Sequence, residues 1–269
     1  MSFVKTIGHE KQKRLFLRSM QNNSLAHAYA LAGEENIGKT TFALELASML
    51  GADPVFDVFV IDQDELITAE EARSLQSRLA LAPAGKHKVA VIKADLLTEE
   101  ASSSLLKTLE EPPAHSVIFL TTSNFYSLLS TIASRVQKIM FSRGTDDDVK
   151  VALAPTGTSQ EKTEKIVKLA GGRVGFALRL AIDDFFLELV ENSQQNYELL
   201  ISKSLVERLK IAEKIASQET PEVRFFLNYS LKRFADSLAP KDLGKKLYQA
   251  LSDLESNVNI KLAMDNLFL

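Results

Sequence analysis

The sequence predicts an α/β fold in which a five-stranded, mainly parallel sheet is followed by helices. Three observations support this prediction. Short apolar segments alternate with amphipathic helical segments up to Arg143, a glycine-rich turn joins the first apolar segment to a helix, and helical spacing follows to the end. Such alternation is typical of a parallel sheet with helices on both faces. A chain of 269 residues, 45% of them hydrophobic, can bury the core that this fold needs.

The predicted strands are short apolar runs, and the helices between them space their apolar residues by three or four positions. The five predicted strands are HAYALAG, FDVFVID, KVAVIKA, SVIFLTT and VQKIMF. The predicted helices are residues 9–22, TTFALELASML, TAEEARSLQSRLAL, TEEASSSLLKTLEEPP and a short one from Tyr126 to Ala133. Thr98 is the predicted N-cap of the fourth helix, and Pro112 and Pro113 are predicted to end it.

The polar stretch GTDDD after Arg143 marks a change in the chain, because only helical spacing follows it. We therefore predict three domains, with the boundaries 1–145, 146–190 and 191–269. The first contains the sheet and the glycine-rich turn, the second is a small helical unit around GGRVGFALRLAI, and the third consists of amphipathic helices.

Composition excludes several classes of function. A net charge of −3 provides no strong field for nucleic acid or membranes, and a chain with no cysteine has no disulfide and no thiolate metal site. Four histidines are widely spaced, so we expect no zinc site from them: His9, His27, His87 and His115. The N-terminal segment does not suit a secretory leader, and no apolar run approaches the roughly 18 residues of a membrane span. We predict a cytoplasmic protein without a membrane partner.

The segment GEENIGKTT has Gly-x4-Gly-Lys-Thr spacing between a predicted strand and a predicted helix, which is typical of a phosphate-binding loop. Loop amides and the helix N-terminus attract phosphate, Lys39 adds a positive charge and Thr40 can ligate magnesium. Asn36 stands where many such loops have glycine, and asparagine tolerates the left-handed backbone. We predict a loop that could hold ATP or ADP through Gly33, Asn36, Gly38, Lys39, Thr40 and Thr41.

Hydrolysis needs more than the loop. It requires an acid at the end of a neighbouring strand to organise magnesium, and a second group to position the attacking water. The KVAVI strand ends in Ile92 and Lys93, and Asp95 comes a few residues late. Asp62, at the end of VFVID, fits the pattern of the missing acid. Spacing does not give the strand order, so the residues alone leave both aspartates open.

Several segments, taken in order, resemble the small subunits of the bacterial clamp loader, which are AAA+ proteins, and above all the δ′ subunit type of DNA polymerase III. The most specific is LLKTLEEPP, Leu105 to Pro113. The resemblance is continuous over about residues 5–143 and thin from 190 until the final helix. The other segments that carry it are LAHAYALAG, GKTTFALELA, KVAVIKADLLTEEASSS, TIASRVQK, GGRVGFALRL and NVNIKLAMDNLFL.

The resemblance implies an AAA+ domain, a helical lid domain and a helical collar domain. It implies that Asp62 lies on an outer strand away from the phosphates, so that the metal acid is missing at Ile92 and Lys93. It aligns the nucleotide-sensing arginine of active subunits near Gly175, with Arg173 displaced. Thr122, with Thr121 before it, takes the position of the polar sensor that reads the γ-phosphate.

The tripeptide Ser134-Arg135-Val136 resembles the Ser-Arg-Cys motif whose arginine reaches into a neighbouring subunit's ATP site. Arg135 is therefore the predicted catalytic residue, acting in trans on developing phosphoryl charge. The alternative is that Arg135 pairs with a surface carboxylate. Many relatives carry a four-cysteine zinc loop where this chain has GADPV, so we expect no zinc.

These features favour a non-motor, δ′-like clamp-loader subunit that holds ATP or ADP without hydrolysing it. Its predicted partners are δ-like and γ/τ-like subunits and, through the complex, the sliding clamp and primed DNA. It would have no activity alone, whereas the DNA polymerase III holoenzyme is a DNA-directed DNA polymerase. The first alternative is an active γ/τ-like ATPase that uses Asp62, Asp64 or Asp95. The second is a kinase with a phosphate-binding loop.

Overall fold

The computed structural model describes residues 3–63, 65–202, 205–235, 241–256 and 258–268. The chain divides into two compact units, residues 1–178 and 179–269. The predicted division into three domains at residues 145 and 190 stays a prediction.

A parallel sheet forms the centre of the first unit. Its strands are β1 (Ala28–Ala32), β2 (Val58–Ile61), β3 (Lys88–Lys93), β4 (Ser116–Thr122) and β5 (Gln137–Met140). They lie in the order β2-β3-β4-β1-β5, and every neighbouring pair is parallel. The strands β1 and β4 are buried along their whole length, as expected where helices cover both faces. The predicted fold class is confirmed.

Helices cover the two faces of this sheet: α1 (Glu10–Gln21), α2 (Lys39–Met49), α3 (Ala69–Leu79), α4 (Glu99–Glu110) and α5 (Ser130–Ala133). Phe16 of α1 and Phe42 of α2 belong to one apolar cluster. Leu75 of α3, Leu105 of α4 and Ile132 of α5 belong to a second cluster. The two clusters take alternate residues of the strands, so α2 and α5 lie on opposite faces.

The helix ends follow local sequence. Thr98 caps α4 by accepting a hydrogen bond from the Ala101 N–H at 3.1 Å, as predicted. The helix predicted from Tyr126 to Ala133 is instead a 3₁₀ turn at Phe125–Ser127 followed by the short α5. Asn124 accepts a hydrogen bond from the Tyr126 N–H and so stabilises this separate turn.

The strand register brings several chain segments to one edge of the sheet. Ala32 pairs with Thr122, Lys93 pairs with Thr121, and Ile61 of β2 pairs with Ile92. The carboxyl ends of four strands are therefore level with one another. The segments that leave these ends form the edge where ligands usually bind in open parallel sheets.

A buried carboxylate holds the chain at the opposite edge of the sheet. Asp57 is inaccessible to solvent and accepts hydrogen bonds from the backbone N–H groups of Asp53, Ala84 and Gly85 at 3.1, 2.9 and 2.6 Å. The Lys88 ammonium lies 3.5 Å from the same carboxylate. This network joins the segment between α2 and β2 to the turn before β3.

The remaining described residues form helices, and no strand occurs after Met140 among them. The first unit continues with α6 (Asp146–Leu153), α7 (Gln160–Ala170) and the first part of α8 (Val174–Ile182). The second unit contains α9 (Asp184–Ser202), α10 (Leu205–Ala216), α11 (Thr220–Ala235), α12 (Lys241–Glu255) and α13 (Ile260–Phe268), with Phe226 and Met264 in its core. In these described ranges, no helix has the length and apolarity to cross a membrane.

Candidate functional site

The glycine-rich loop between β1 and α2 has the backbone that its sequence predicts. Gly38 has a φ of 100°, and Gly33 has a φ of 154°. A Cβ on Gly33 would lie 2.4 Å from the Phe141 carbonyl oxygen, so a side chain does not fit there. Asn36 has a φ of 61°, so its backbone is left-handed. This is the conformation in which asparagine can replace glycine, as predicted.

Lys39 lies inside this loop. Its Nζ donates hydrogen bonds to the carbonyl oxygens of Gly33, at 2.6 Å, and Glu34. The side chain is buried, and burial lowers the pKa of Lys39, while the negative charges of Asp95 and Asp62 act in the opposite direction. An incoming phosphate would meet this ammonium together with the first amides of α2.

Thr40 and Asp62 are directly connected. The Thr40 Oγ1 donates a hydrogen bond of 2.9 Å to Asp62 Oδ2. The expectation that Asp62 stays away from the phosphate-binding loop is therefore wrong. β2 is an outer strand, as the resemblance implied, but α2 packs across β3 and β4. The first turn of α2 consequently lies within reach of the chain that leaves β2.

The end of β3 has no carboxylate where hydrolysing proteins need one. Ile92 is buried and Lys93 is the last residue of the strand. Asp95, in the following 3₁₀ turn, accepts a hydrogen bond from the Ser123 N–H at 2.7 Å and lies 2.5 Å from the Thr122 hydroxyl. Asp95 thus joins the ends of β3 and β4. Within the described part of the chain, no group of three His, Asp or Glu side chains is arranged to hold a metal ion.

The threonines at the end of β4 are engaged by the protein. Thr122 is buried, and its hydroxyl accepts a hydrogen bond from the Asn124 N–H at 3.1 Å in addition to its contact with Asp95. Thr121 Oγ1 lies 3.4 Å from the Ile92 carbonyl oxygen. The γ-phosphate sensor role of Thr122 stays a prediction. Thr41 is exposed in the first turn of α2, and its role stays a prediction too.

The start of α8 contacts the loop directly. The N–H groups of Gly175 and Phe176 donate to the Asn36 carbonyl oxygen at 2.7 and 3.3 Å. A Cβ on Gly175 would lie 2.9 Å from that oxygen, so glycine permits this approach. Arg173, displaced from the aligned position, donates from Nε to the Ala170 carbonyl at 2.9 Å and lies over the Phe176 ring.

Two loop contacts were missed by sequence reasoning. The Arg143 Nε lies 2.8 and 2.9 Å from the two carboxylate oxygens of Glu34. The His9 Nε2 lies 2.8 Å from the Ile37 carbonyl oxygen, and burial lowers the pKa of His9. Because these pairs are far apart in the chain, no spacing rule could have found them.

Arg135, the predicted trans-acting residue, lies just after α5. One guanidinium nitrogen is 2.5 Å from a carboxylate oxygen of Glu110, and another donates to the Thr131 carbonyl oxygen at 2.8 Å. The side chain is 33% exposed. The structure thus contains the surface ion pair that was the alternative interpretation, and α5 is on the sheet face opposite α2. The action of Arg135 on a neighbouring subunit stays a prediction.

Three of the four histidines, although widely spaced along the chain, line the same cavity. His27, His87 and His115 line a cavity of about 320 Å³ beside Pro112 and Pro113. The cause is that three turns at the amino-terminal edge of the sheet converge there. His27 and His87 each contact a backbone carbonyl oxygen, that of Leu109 and that of Leu50 respectively.

Comparison with known proteins supports these observations. A family profile described as "DNA polymerase III, delta subunit" matches residues 51–145. The chain is 30% identical over 192 residues to DNA polymerase III subunit gamma/tau of Mycoplasma pneumoniae, which covers 62% of this chain and 28% of that protein. It is 28% identical over 209 residues to DNA polymerase III subunit delta' of Bacillus subtilis, which covers 70% of this chain and 63% of that protein.

The fold has a counterpart among solved structures. A DNA polymerase III gamma subunit-related protein from Thermotoga maritima has a TM-score of 0.59 at 19% identity, covering 94% of this chain and 96% of that one. This likeness concerns the fold alone. The chain spans less than two thirds of the length of the curated relatives it matches. With the parallel sheet and the glycine-rich loop, these matches support the resemblance of the chain to clamp-loader subunits of the AAA+ type.

Proposed function

We propose that this chain is a non-motor, δ′-like subunit of the DNA polymerase III clamp loader. It holds ATP or ADP in the loop from Gly33 to Thr41 without hydrolysing it, and it supplies Arg135 to the ATP site of a neighbouring subunit. The observation that carries this proposal is Lys93, which ends the strand where water-activating chemistry requires a carboxylate.

Hydrolysis needs a group that can accept a hydrogen bond from the attacking water. A carboxylate at the end of β3 would accept a hydrogen bond from the attacking water and orient it, whereas a protonated lysine only donates hydrogen bonds. Ile92, one residue earlier, is 1% exposed and offers no polar atom in its side chain. The loop and its lysine are present without this second requirement, which supports nucleotide binding without turnover.

The position and the exposure of Arg135 support its proposed role. It follows α5 on the sheet face opposite the loop's helix, so its own loop is an unsuitable target. Its guanidinium is partly exposed and held by Glu110, which keeps a cation at the surface in a limited set of orientations. A cation delivered to a transferring phosphoryl group typically accelerates the reaction by about 10³ to 10⁵.

The proposed partners follow from the family. We infer that δ-like and γ/τ-like subunits stand beside this chain, and that the sliding clamp and primed DNA are contacted through the complex. The cytoplasm is the proposed location. By itself the chain would release no phosphate, although the polymerase holoenzyme to which it would belong is a DNA-directed DNA polymerase.

A second candidate function is an active γ/τ-like ATPase. The hydrogen bond between Thr40 and Asp62 favours it, because a carboxylate lies beside the hydroxyl that can ligate magnesium. Asp95 is a weaker candidate, since Thr122 and Ser123 already engage its two oxygens. Asp64 lies outside the described residues.

The test is reconstitution of the clamp-loader complex with a γ/τ-type motor subunit. We expect Arg135→Ala to reduce DNA-dependent ATP turnover by about 10³-fold or more, with Arg135→Lys recovering part of the loss. Arg78→Ala is the matched control, because Arg78 is a cation on α3 in the same helix layer that lies over the Phe59 ring. Unchanged turnover with Arg135→Ala would exclude the trans-acting role, and phosphate release by the isolated chain would favour the second candidate.

A further inference from the structure

We propose that His9 is a positioning residue for the glycine-rich loop, because its imidazole holds the peptide between Ile37 and Gly38 so that the Gly38 N–H faces an incoming phosphate. The His9 Nε2 lies 2.8 Å from the Ile37 carbonyl oxygen. A carbonyl oxygen only accepts hydrogen bonds, so this nitrogen carries a proton and donates it. This role depends on the proposed binding of a nucleotide by the loop, and it adds to that site a residue from outside the loop's own sequence pattern.

The peptide bond transmits the contact from His9 to Gly38. The bond is planar and trans, so the Ile37 carbonyl and the Gly38 N–H lie in one rigid plane and point in opposite directions. A donor that fixes the carbonyl on one side therefore directs the N–H to the other side. The amides of such a loop, together with those at the start of the following helix, are the groups that bind phosphate.

Gly38 leaves the peptide before it free to rotate unless another group holds it. Its φ is 100°, and glycine adopts positive and negative φ about equally readily. Rotation of this peptide would present the Ile37 carbonyl oxygen, the negative end of the peptide dipole, to the phosphate. The hydrogen bond from His9 opposes that rotation.

Other carbonyl groups of the loop meet different donors. The Gly33 and Glu34 carbonyls accept hydrogen bonds from the Lys39 Nζ, and the Asn36 carbonyl accepts them from the first amides of α8. An incoming phosphate would compete for the Lys39 ammonium, which is the cation of the loop. The Lys39 contacts can therefore be exchanged for a ligand, whereas the His9 contact can persist while the ligand is bound.

The segment that carries His9 is attached to α2, the helix that follows the loop. Glu45 of α2 accepts hydrogen bonds from the N–H groups of residues 4–6, two of them at 2.7 and 2.9 Å. The rings of Phe3 and Phe42 stack with their centroids 4.9 Å apart, and Phe42 is also on α2. These contacts tie the segment before His9 to the same helix whose start the loop forms.

The imidazole of His9 is itself held in place. Its ring packs edge-on against Phe141, with a centroid distance of 4.8 Å. His9 has a φ of 60°, a left-handed backbone that is uncommon for a residue with a side chain and that persists where the surrounding contacts fix it. Burial lowers the pKa of His9, so the ring is neutral near pH 7 and the proton that it keeps is the one on Nε2.

Two substitutions separate the hydrogen bond from the ring packing. His9→Phe keeps a ring that can pack on Phe141 and loses the N–H, whereas His9→Gln loses the ring and keeps an N–H donor. His27→Phe is the matched control, because the His27 Nε2 also lies 3.0 Å from a backbone carbonyl oxygen, that of Leu109, at the opposite edge of the sheet.

The first measurement is ADP binding to the full chain by calorimetry in EDTA, so that no metal contributes. We expect His9→Phe to weaken ADP binding by about 2-fold to 10-fold, as for the loss of one hydrogen bond, and we expect His9→Gln to recover most of that loss. The control His27→Phe should bind ADP as the wild type does.

The second measurement is the amide resonance of Gly38 in the NMR spectrum, recorded without ligand. Isotope labels on the isoleucine carbonyls and the glycine nitrogens select only the pairs of Ile7 with Gly8 and of Ile37 with Gly38. The Gly38 resonance should shift or broaden in His9→Phe, because the peptide before it is then free to rotate, and should return in His9→Gln.

If His9→Phe keeps both the wild-type affinity and the wild-type Gly38 resonance, the positioning role is overturned while nucleotide binding by the loop stands. The same holds if His9→Phe is less affected than His9→Gln, since ring packing on Phe141 would then be what matters, or if His27→Phe shows equal losses. If the wild type binds no ADP, the proposed function of the loop fails, and the Gly38 resonance alone then decides whether His9 holds this peptide.

Discussion

The substitution Asp57→Asn tests the network at the amino-terminal edge of the sheet. Asp57 is 0% exposed and its carboxylate meets three backbone N–H donors and the Lys88 ammonium. Removing one partner of a buried ion pair typically costs about 3–5 kcal/mol. Because asparagine keeps one oxygen that can accept a hydrogen bond, we expect the free energy of unfolding to fall by about 3 kcal/mol.

The same residue predicts a pH dependence. Burial acts to raise the pKa of Asp57, but the N–H groups of Gly85, Ala84 and Asp53 and the charge of Lys88 outweigh it and lower the pKa from 3.8 to about 2. The folded-state pKa is below the unfolded value, so the stabilisation is full above about pH 4 and is lost as the pH falls toward 2. Asp57→Asn should lack this part of the acid dependence.

Urea unfolding followed by circular dichroism, repeated between pH 7 and pH 2.5, measures both effects. Asp147→Asn is the control, since its side chain is 91% exposed on α6 and should change stability by no more than about 0.5 kcal/mol. If Asp57→Asn were as stable as this control at pH 7, the hydrogen bonds and the ion pair of Asp57 would not be what stabilises the contact between the segment before β2 and the turn before β3. An acid dependence identical to that of the wild type would lead to the same conclusion.

Two further predictions concern the loop and the trans-acting arginine. Gly175→Ala should weaken ADP binding by about 10-fold in calorimetry. The added Cβ would lie 2.9 Å from the Asn36 carbonyl oxygen, and overpacking of this kind costs about 1–3 kcal/mol. An unchanged affinity would mean that α8 shifts to accommodate the Cβ while the loop keeps its conformation. Glu110→Gln should lower stability by less than about 1 kcal/mol in thermal unfolding, as expected for an exposed pair. The same variant should still reduce ATP turnover in the reconstituted complex, and full turnover would show that Glu110 does not position Arg135.

Much of the fold could be predicted because each element carries its own local pattern. The segments of the three central strands, β1, β3 and β4, are apolar runs that are buried on both faces, and the glycine-rich loop has a fixed spacing between a strand and a helix. The N-cap at Thr98 could also be predicted, because the hydroxyl accepts a hydrogen bond from the N–H only three residues later and the contact is therefore local. The left-handed backbone of Asn36 could be predicted for the same reason, because asparagine tolerates that conformation better than most residues.

The parts of the site that were not predicted depend on distances across the fold. The strand order places β2 at an edge, but it does not tell how far the chain beyond β2 extends toward α2, which is why the position of Asp62 was predicted wrongly. The pair formed by Glu34 and Arg143 joins residues 109 positions apart. Residue spacing along the chain contains no information about such contacts.

The contacts of the loop bear on what a bound nucleotide would do under the proposed function. The Asn36 carbonyl accepts the first amides of α8, Lys39 binds loop carbonyls, and Thr40 binds Asp62. A nucleotide held there would lie beside the carboxyl end of the sheet, the first turn of α2 and the first turn of α8. A ligand that binds only the folded state at 100 times its Kd stabilises that state by about 2.7 kcal/mol. Bound nucleotide would then act as a structural ligand, and loss of the water-activating carboxylate would preserve that ligand from turnover.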